Sequence, residues 1–532
     1  MRLKAWLSSS LVRVFPAGPA GGPKRLSLAA ARNSRVSFQV SLRHEGDDPL
    51  EVRCTVRTPV GLDATVRRVG CVPVAHHNTR TPQSELDGRG FIPGYVPDPL
   101  FPEDFVTLAP SENTSFWVTV RVDAGARPGM KRIAVTLASG RQSLASLAVT
   151  VCVSPVVLEP RRDFRVTHWF YADAIAEWYR VQPFSAEFWP ICRKYMRDCA
   201  EHGSDLIYVP VFTPPLDGVK RPTQLLRVRE SGRGEYRFDW RDVRRWIAEA
   251  KGAGLRRFEW THLFTQWGAK YAIRIYRGQG QGESLLWPAQ TPGVSPTYRR
   301  FLGQYLPALR RFLLAEGLMD ASYFHLSDEP HGPEHRENYR AARAMLRELA
   351  PWMRVMDALS EIEFGREGLV DTPIPSIRTT RAFARENIAS WTYFCCGPRG
   401  RYLNRLLDTP LAKIRMSGPL FYRFGVGGFL HWGYNYWYKS QSRELIDPFA
   451  VTDGLKWPNW AYGDPFLVYP GAAGPIDSIR WEAFAESLDD YALLQTLGVK
   501  REGRLLSPLR DFDDFPKDGR WLARARNMLL NP

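Results

Sequence analysis

The pattern of apolar residues changes once along this chain, near residues 155–160, and that change limits what the chain can fold into. Residues 1–158 carry short runs in which apolar and polar residues alternate, for example 36–42 and 116–122, separated by turn-forming clusters. A period of two is typical of half-buried β-strands, and no helical period occurs in this stretch. We therefore predict an all-β sandwich domain over residues 1–158.

Residues 159–532 instead show short apolar runs that alternate with amphipathic helices, which is typical of βα units and a parallel sheet. The predicted strands are 164–170, 205–211, 258–263, 321–326, 353–358, 369–374, 388–394 and 427–432. The predicted helices are 186–202, 240–253, 296–316, 334–349 and 411–424. About eight strands in this order predict an α/β fold, a (β/α)8 TIM-like barrel with a C-terminal helical extension. The connection between the fifth and sixth strands is too short for a full helix, so we expect an irregular barrel.

The basic charge balance does not indicate nucleic-acid binding. The 532-residue chain has 72 Lys and Arg against 56 Asp and Glu, a formal net charge of +16, but only 12 of the basic residues are Lys. The Arg residues are dispersed among acidic ones and form no block of like charge, so the clustered footprint of a nucleic-acid site is missing. No run of about 18 apolar residues occurs, which excludes a helical membrane span.

The seven cysteines lack disulfide spacing, and the N-terminal segment lacks a clear secretion signal. Both features favour a reducing compartment and predict a cytoplasmic location. No cofactor is expected, because the glycines at 278–282 and 425–428 do not stand between a strand and a helix, as phosphate-binding loops do. No metal site is expected either. His325, His331 and His335 lack zinc-type spacing, and Gly332 and Pro333 interrupt the last two.

Active sites of such barrels lie at the carboxyl ends of the strands. The sharpest element there is Ser327-Asp328-Glu329-Pro330 at the end of the fourth strand, where one carboxyl group can donate a proton while its neighbour stays ionised. The same residues also fit the first turn of the helix that follows, where acidic groups are favoured. Arg480 is either a substrate clamp or part of a structural salt bridge. The other candidates for binding a ligand at these strand ends are His168, Trp169, His262, Trp391, Tyr393, Trp432, Tyr434 and Asn435.

Several ordered motifs together resemble glycoside hydrolase family 123 and the related domain of unknown function 4091. The resemblance covers nearly the whole chain. The motifs are Ala31-Arg32-Asn33 with Phe38-Gln39, Ser327-Asp328-Glu329-Pro330, Gly428-Phe429-Leu430-His431-Trp432-Gly433-Tyr434-Asn435, Tyr469-Pro470-Gly471, Ser478-Ile479-Arg480-Trp481-Glu482 and Ser487-Leu488-Asp489-Asp490-Tyr491.

The resemblance implies a retaining exo-β-N-acetylgalactosaminidase in which the 2-acetamido group of the sugar is the nucleophile. It assigns Asp328 to orient that group and Glu329 to act as general acid and base. An aromatic box around the acetamido methyl is expected from Trp391, Tyr393, Trp432 and Tyr434. The expected partner is a glycan with a terminal N-acetylhexosamine. Two alternatives remain open, namely a glycosidase for another sugar, such as β-GlcNAc or a sugar without an acetamido group, and a carbohydrate-binding protein without catalysis.

Overall fold

A computed structural model describes residues 3–213, 223–232, 234–277 and 284–531. The glycine-rich segment 278–282 lies outside these residues. Among the described helices, none combines the length and apolar character needed to cross a membrane.

The first part of the chain forms two sheets packed face to face. Their strand pairs are antiparallel except for Arg25–Arg32 with Gln142–Val157, which is parallel. Strands β1, β3, β5, β6 and β8 belong to one sheet, and β2, β4, β7, β9 and β10 belong to the other. Alternate residues point inward, so that Phe38, Val118 and Val149 meet in a shared core between the sheets. The strands are β1 Leu3–Ser9, β2 Arg25–Arg32, β3 Ser34–His44, β4 Leu50–Arg57, β5 Leu62–Val74, β6 Gly94–Phe101, β7 Phe105–Leu108, β8 Asn113–Val122, β9 Gly129–Ser139 and β10 Gln142–Val157.

The second part alternates strands and helices, so the protein is mixed α/β with a large β-rich N-terminal region. Its strands are β11 Arg165–His168, β12 Leu206–Val209, β13 Arg227–Gly232, β14 Glu235–Asp239, β15 Arg257–Trp260, β16 Ser322–Phe324, β17 Met356–Ala358, β18 Thr372–Ile374, β19 Thr392–Tyr393, β20 Gly428–His431, β21 Tyr469–Gly471 and β22 Gly474–Ser478. Its helices are α1 Ala172–Trp178, α2 Phe188–Glu201, α3 Arg241–Ala253, α4 Pro296–Ala315, α5 Gly332–Leu349, α6 Glu363–Arg366, α7 Thr380–Arg385, α8 Leu411–Arg415, α9 Ser417–Phe424, α10 Ile479–Thr496 and α11 Gly519–Leu530.

Each of the eight predicted strand ranges of this part contains or overlaps a parallel strand. The strands form three separate parallel sheets, in the orders β11-β20-β19, β12-β15-β16 and β17-β18, and not one continuous sheet. The helix predicted over residues 411–424 is divided into α8 and α9 at Met416. The short fifth connection holds only the four-residue helix α6.

The hairpin β21–β22 was not predicted, and it extends the N-terminal seven-stranded sheet through antiparallel pairing of β22 with β6. Just after this pairing, Arg480 in α10 donates to both carboxylate oxygens of Asp98 in β6, at 2.9 Å each. Neither side chain is exposed to solvent. The two parts of the chain are therefore joined by the backbone pairing of β22 with β6 and by the buried ion pair between Arg480 and Asp98.

Candidate active site

The turn after β16 presents the two adjacent carboxylates. Asp357, at the end of β17, accepts hydrogen bonds from the backbone N–H groups of Leu326 and Ser327 at 3.1–3.3 Å. The N–H of Glu329 donates to the carbonyl of Ala358 at 2.9 Å. These contacts hold Glu329 at a φ of 42°, a left-handed conformation that costs a non-glycine residue about 1–3 kcal/mol. The backbone therefore turns sharply at the carboxylate pair, as the Pro after Glu329 suggests from sequence.

Asp328 and Glu329 open into a cavity of about 290 Å³. This volume is at the lower end of the range for ligand pockets, which suits one sugar ring better than an oligosaccharide. Its lining comprises Trp169, Gln266, Trp267, Asp328, Glu329, Ala358, Tyr393, Cys395, Cys396, Leu430, Trp432, Gln441, Asn459 and Trp460. Among these described lining residues, Asp328 and Glu329 are the only carboxylates.

The two carboxyl groups have different surroundings. Burial and the neighbouring charge of Glu329 raise the pKa of Asp328 well above its ordinary value. The hydroxyl of Tyr393 donates to Glu329 Oε1 at 2.6 Å. The surroundings therefore favour the protonated form of Asp328, and a ligand that donates a hydrogen bond to it would favour its ionised form.

Two tryptophans of the cavity wall are fixed by buried carboxylates behind them. Trp169 Nε1 donates to Glu259 at 2.8 Å, and Trp432 Nε1 donates to Asp464 at 2.8 Å. Asp464 also accepts from the thiol of Cys396 at 2.9 Å. An indole whose N–H is anchored in this way can present its face to the C–H side of a sugar without losing its orientation.

The structure brings five of the predicted residues to the cavity, namely Trp169, Asp328, Glu329, Tyr393 and Trp432. Six other predicted binding residues are not part of its lining: His168, His262, Trp391, Tyr434, Asn435 and Arg480. Arg480 forms the buried pair with Asp98, so the structure shows the salt-bridge alternative for this residue.

Tyr434 and Asn435 lie away from the cavity because β20 ends at His431 and the alternation of side chains ends with it. Gly433 passes so close to Asp464 that a Cβ there would lie 2.4 Å from its carbonyl oxygen. Beyond this turn, Tyr434 donates to Asp198 at 2.5 Å, and Asn435 bonds both backbone groups of Tyr171. Tyr434 is therefore not part of the predicted aromatic box, because the strand ends before it.

Trp391 directly precedes β19 and packs against Gly428, whereas Tyr393 ends the strand and lines the cavity. Two residues along a strand cover about 6.6 Å, so residues on the same face need not reach the same site. His168 accepts from Arg405 at 2.8 Å, and burial together with that charge lowers its pKa well below the ordinary value. Trp391 and His168 are therefore buried in the protein interior and do not line the cavity.

Several lining residues have no counterpart among the sequence predictions, chiefly Gln266, Trp267, Cys395, Cys396 and Trp460. All five follow a predicted strand or lie in a loop, and loop residues carry no periodic pattern that would direct them to one point. Trp460 reaches the cavity by packing on Trp432, with ring centroids 4.9 Å apart. The position of Trp267 and the two cysteines just beyond strand ends is the signal that sequence reasoning did not use.

The described residues include a cluster of potential metal ligands beneath the cavity, formed by His262, His325 and Asp357. Burial opposes a charge on His325, but hydrogen bonds to Asp357 and Glu259 outweigh burial and raise its pKa to about 9. A histidine that donates from both nitrogens has no lone pair for a metal ion. His331 and His335 contact one another instead, with ring centroids 4.5 Å apart.

A carboxylate pair in an aromatic-lined cavity at the ends of parallel strands is the kind of site that glycoside hydrolases use. The family model described as the glycoside hydrolase 123 catalytic domain matches residues 169–497. The protein is therefore a glycoside hydrolase, and it belongs to family 123. A glycoside hydrolase acts on glycan substrates.

Among solved structures, the chain resembles a family 123 glycoside hydrolase from Clostridium perfringens, whose study concerns glycolipid glycan hydrolysis. The TM-score is 0.73 at 13% identity, and the match covers 93% of this chain and 89% of that one. This identity supports the shared fold alone.

A family 39 glycoside hydrolase from Bacteroides cellulosilyticus matches at 10% identity and a TM-score of 0.36, covering 87% of this chain and 81% of that one. A GH5 xyloglucanase from Bacteroides ovatus matches at 9% and 0.33, covering 88% and 98%. Both scores are too low to carry an argument. No curated protein sequence matches the chain.

Proposed function

We propose that the protein is a retaining exo-β-N-acetylgalactosaminidase that uses the 2-acetamido group of its substrate as the nucleophile. The observation that carries this proposal is the adjacent pair Asp328–Glu329 in a cavity of about 290 Å³ whose described lining holds no further carboxylate. Two-carboxylate retaining glycosidases need a nucleophile facing the anomeric carbon from a position opposite the acid. A nucleophile that belongs to the substrate removes that need, and the small cavity favours a single terminal sugar.

In the first step, the acetamido oxygen attacks the anomeric carbon while the bond to the leaving oxygen breaks. Asp328 accepts the acetamido N–H and stabilises the positive charge that develops on the oxazoline-type intermediate. Glu329 gives its proton to the leaving oxygen. In the second step, Glu329 takes a proton from water, which attacks the anomeric carbon and reopens the ring. The net configuration at that carbon is retained because it is inverted twice.

The upward shift in the pKa of Asp328 is consistent with these two roles. Burial favours the protonated form of this carboxyl group in the free protein, and the acetamido N–H of a bound substrate supplies a hydrogen bond that favours the ionised form. The Tyr393 hydroxyl orients Oε1 of Glu329, the carboxyl group that the mechanism assigns to proton transfer. Substrate binding thus sets the two protonation states that the first step requires.

We further infer that the eight parallel strands close into an irregular (β/α)8 barrel. Support comes from isolated parallel bridges between Phe324 and Val355 and between Ser376 and Tyr393, which link neighbouring sheets. The N–H of Asp205, which directly precedes β12, also donates to the carbonyl of Val166 in β11, so these two neighbouring strands are linked. We keep residues 1–158 and 159–532 as the two domains, and we propose a cytoplasmic location on the basis of seven cysteines that are all free.

The experiment that tests the function compares release of 4-nitrophenol from its β-N-acetylgalactosaminide, β-N-acetylglucosaminide and β-galactoside. We expect turnover of the 2-acetamido sugars, with the galacto configuration preferred, and none of the plain galactoside, because only the acetamido oxygen supplies a nucleophile. The first-formed product should be the β-anomer by ¹H NMR. Turnover of the plain galactoside would favour a two-carboxylate glycosidase. Sugar binding without turnover would favour a carbohydrate-binding protein.

The hydrogen bond from Tyr393 gives a second expectation. Tyr393→Phe should lower kcat about 10- to 100-fold, since a hydrogen bond to a charged group contributes about 1.5–3 kcal/mol. KM should change less than kcat, because the bond orients Glu329 and not the sugar. Tyr323→Phe is the control, because this tyrosine precedes the turn on β16 and is not part of the cavity lining. Equal losses in both variants would contradict the role given to Tyr393.

A further inference from the structure

A buried charged chain of three side chains lies behind the Asp328–Glu329 turn. His325 Nε2 donates to Glu259 at 2.7 Å, and His325 Nδ1 donates to Asp357 at 3.1 Å. None of the three side chains is exposed to solvent. Burying two carboxylates and an imidazolium costs free energy unless each is paired, and apolar side chains would fill the same space without that cost.

The two carboxylates of this group, Glu259 and Asp357, contact different parts of the cavity. Glu259 anchors Trp169 of the cavity wall and also accepts from the hydroxyl of Thr167. Asp357 holds the backbone N–H groups that open the carboxylate turn, and it accepts from Tyr339 at 2.6 Å. The same three residues therefore connect an aromatic wall to the turn that carries the reacting groups.

His262 completes the local arrangement by stacking on His325, with ring centroids 4.2 Å apart and planes 18° apart. Burial and the charge of His325 lower the pKa of His262 well below its ordinary value, so His262 is the neutral ring of the stack. The positive charge therefore stays on His325, whose two nitrogens are the ones that face carboxylates.

We propose that Glu259, His325 and Asp357 form a positioning chain that holds Trp169 and the carboxylate turn in register and keeps a positive charge beside Asp328. This inference rests on the proposed function, because it assigns a task to Asp328 in the reaction. The three residues act on the ionisation of Asp328 and on the position of Trp169, and they do not contact the sugar.

Three charged side chains act on the pKa of Asp328. The charges of Glu329 and Asp357 raise its pKa, and the charge of His325 lowers it. The hydroxyl of Tyr208 lies 3.2 Å from His262 Nδ1 and stays protonated, since burial raises its pKa well above the ordinary value. His325 is thus the one cation among the groups found to act on Asp328 in the described part of the chain. The first step needs one proton on the Asp328–Glu329 pair, so activity falls as the pH drops and the pair takes up a second proton. This pKa of the pair sets the acidic limb of the kcat/KM profile.

Two variants move that limb in opposite directions. His325→Gln removes the positive charge, so the pKa at which the pair takes up a second proton rises, and the acidic limb should move up by about one pH unit. Glu259→Gln removes a negative charge while keeping an oxygen for Trp169 Nε1, and His325 stays charged in the acidic range through Asp357. With one of its two counter-charges removed, the charge of His325 acts more strongly on the carboxylate pair, so the acidic limb should move down. Glu334→Gln is the control, because its side chain is 72% exposed and should leave the profile unchanged.

The opposite shifts separate positioning from simple support of the fold. A merely structural chain would lower activity in both variants without moving the limb, or would move it in the same direction in both, and either result would overturn the proposal. Glu259→Gln keeps the test informative where His325→Gln does not fold, because a limb that does not move down is then sufficient to reject it.

A readout without turnover separates this proposal from the proposed function. Ring ¹⁵N signals of His325, assigned by their loss in His325→Gln, should titrate near pH 9 in the wild type and at lower pH in Glu259→Gln. A His325 that is neutral at pH 7 would overturn the positioning chain even in an active enzyme. A wild type that is inactive on 2-acetamido sugars, with His325 titrating as expected, would reject the proposed function alone.

Discussion

Glu329→Gln should lower kcat/KM for the 4-methylumbelliferyl β-N-acetylgalactosaminide about 10³-fold, within the range expected for loss of a general acid and base. Glutamine keeps the size of the side chain and an oxygen for Tyr393, so the loss reflects the missing proton. Substrates with a 2,4-dinitrophenyl leaving group need little protonation and should lose far less in kcat/KM. Steady-state kinetics on the two substrates measure the difference.

The second half of the reaction gives an independent check on the same variant. Azide attacks the intermediate without being deprotonated, so it should restore turnover in Glu329→Gln and yield the β-glycosyl azide. Glu334→Gln removes an exposed carboxylate five residues away and should behave as the wild type. An equal loss on both leaving groups, with no azide product, would reject Glu329 as the acid and base.

Asp328→Asn should lower kcat for 2-acetamido substrates about 10²–10³-fold, the usual effect of removing one electrostatic stabiliser from a transition state. The negative charge beside the oxazoline-type intermediate is lost, while the shape of the side chain is kept. A thiazoline that mimics this intermediate should inhibit the wild type strongly and bind the variant much more weakly. Calorimetric titration of the thiazoline into both proteins measures this directly.

Asp320 provides a matched control, because it lies just before β16 whereas Asp328 lies in the turn after it. Asp320 is exposed just before β16, so Asp320→Asn removes a carboxylate without reaching the cavity and should preserve both kcat and thiazoline binding. Undiminished thiazoline binding by Asp328→Asn would show that Asp328 does not face the acetamido group. The substrate-assisted mechanism would then lose its main support.

The candidate site shows where sequence reasoning reaches and where it ends. Asp328 and Glu329 are adjacent in the chain, so their meeting at one strand end follows from locating that strand. Trp460 comes from a loop more than 130 residues further on, and only its packing against Trp432 brings it to the cavity. Arg480 shows the same limit, because its partner Asp98 is buried on a strand of the N-terminal sheet.

The sequence by itself determined the all-β first part, the alternation of strands and helices in the second, and the position of the carboxylate pair after β16. These features follow from local periods of two and 3.6 residues, which adjacent residues impose on one another. The tertiary structure alone decided that β21 and β22 join the N-terminal sheet, and which aromatic side chains line the cavity. It also decided that His325 lies between two carboxylates. Such features depend on where each strand ends and on pairing between residues far apart in sequence, and no local period encodes either one.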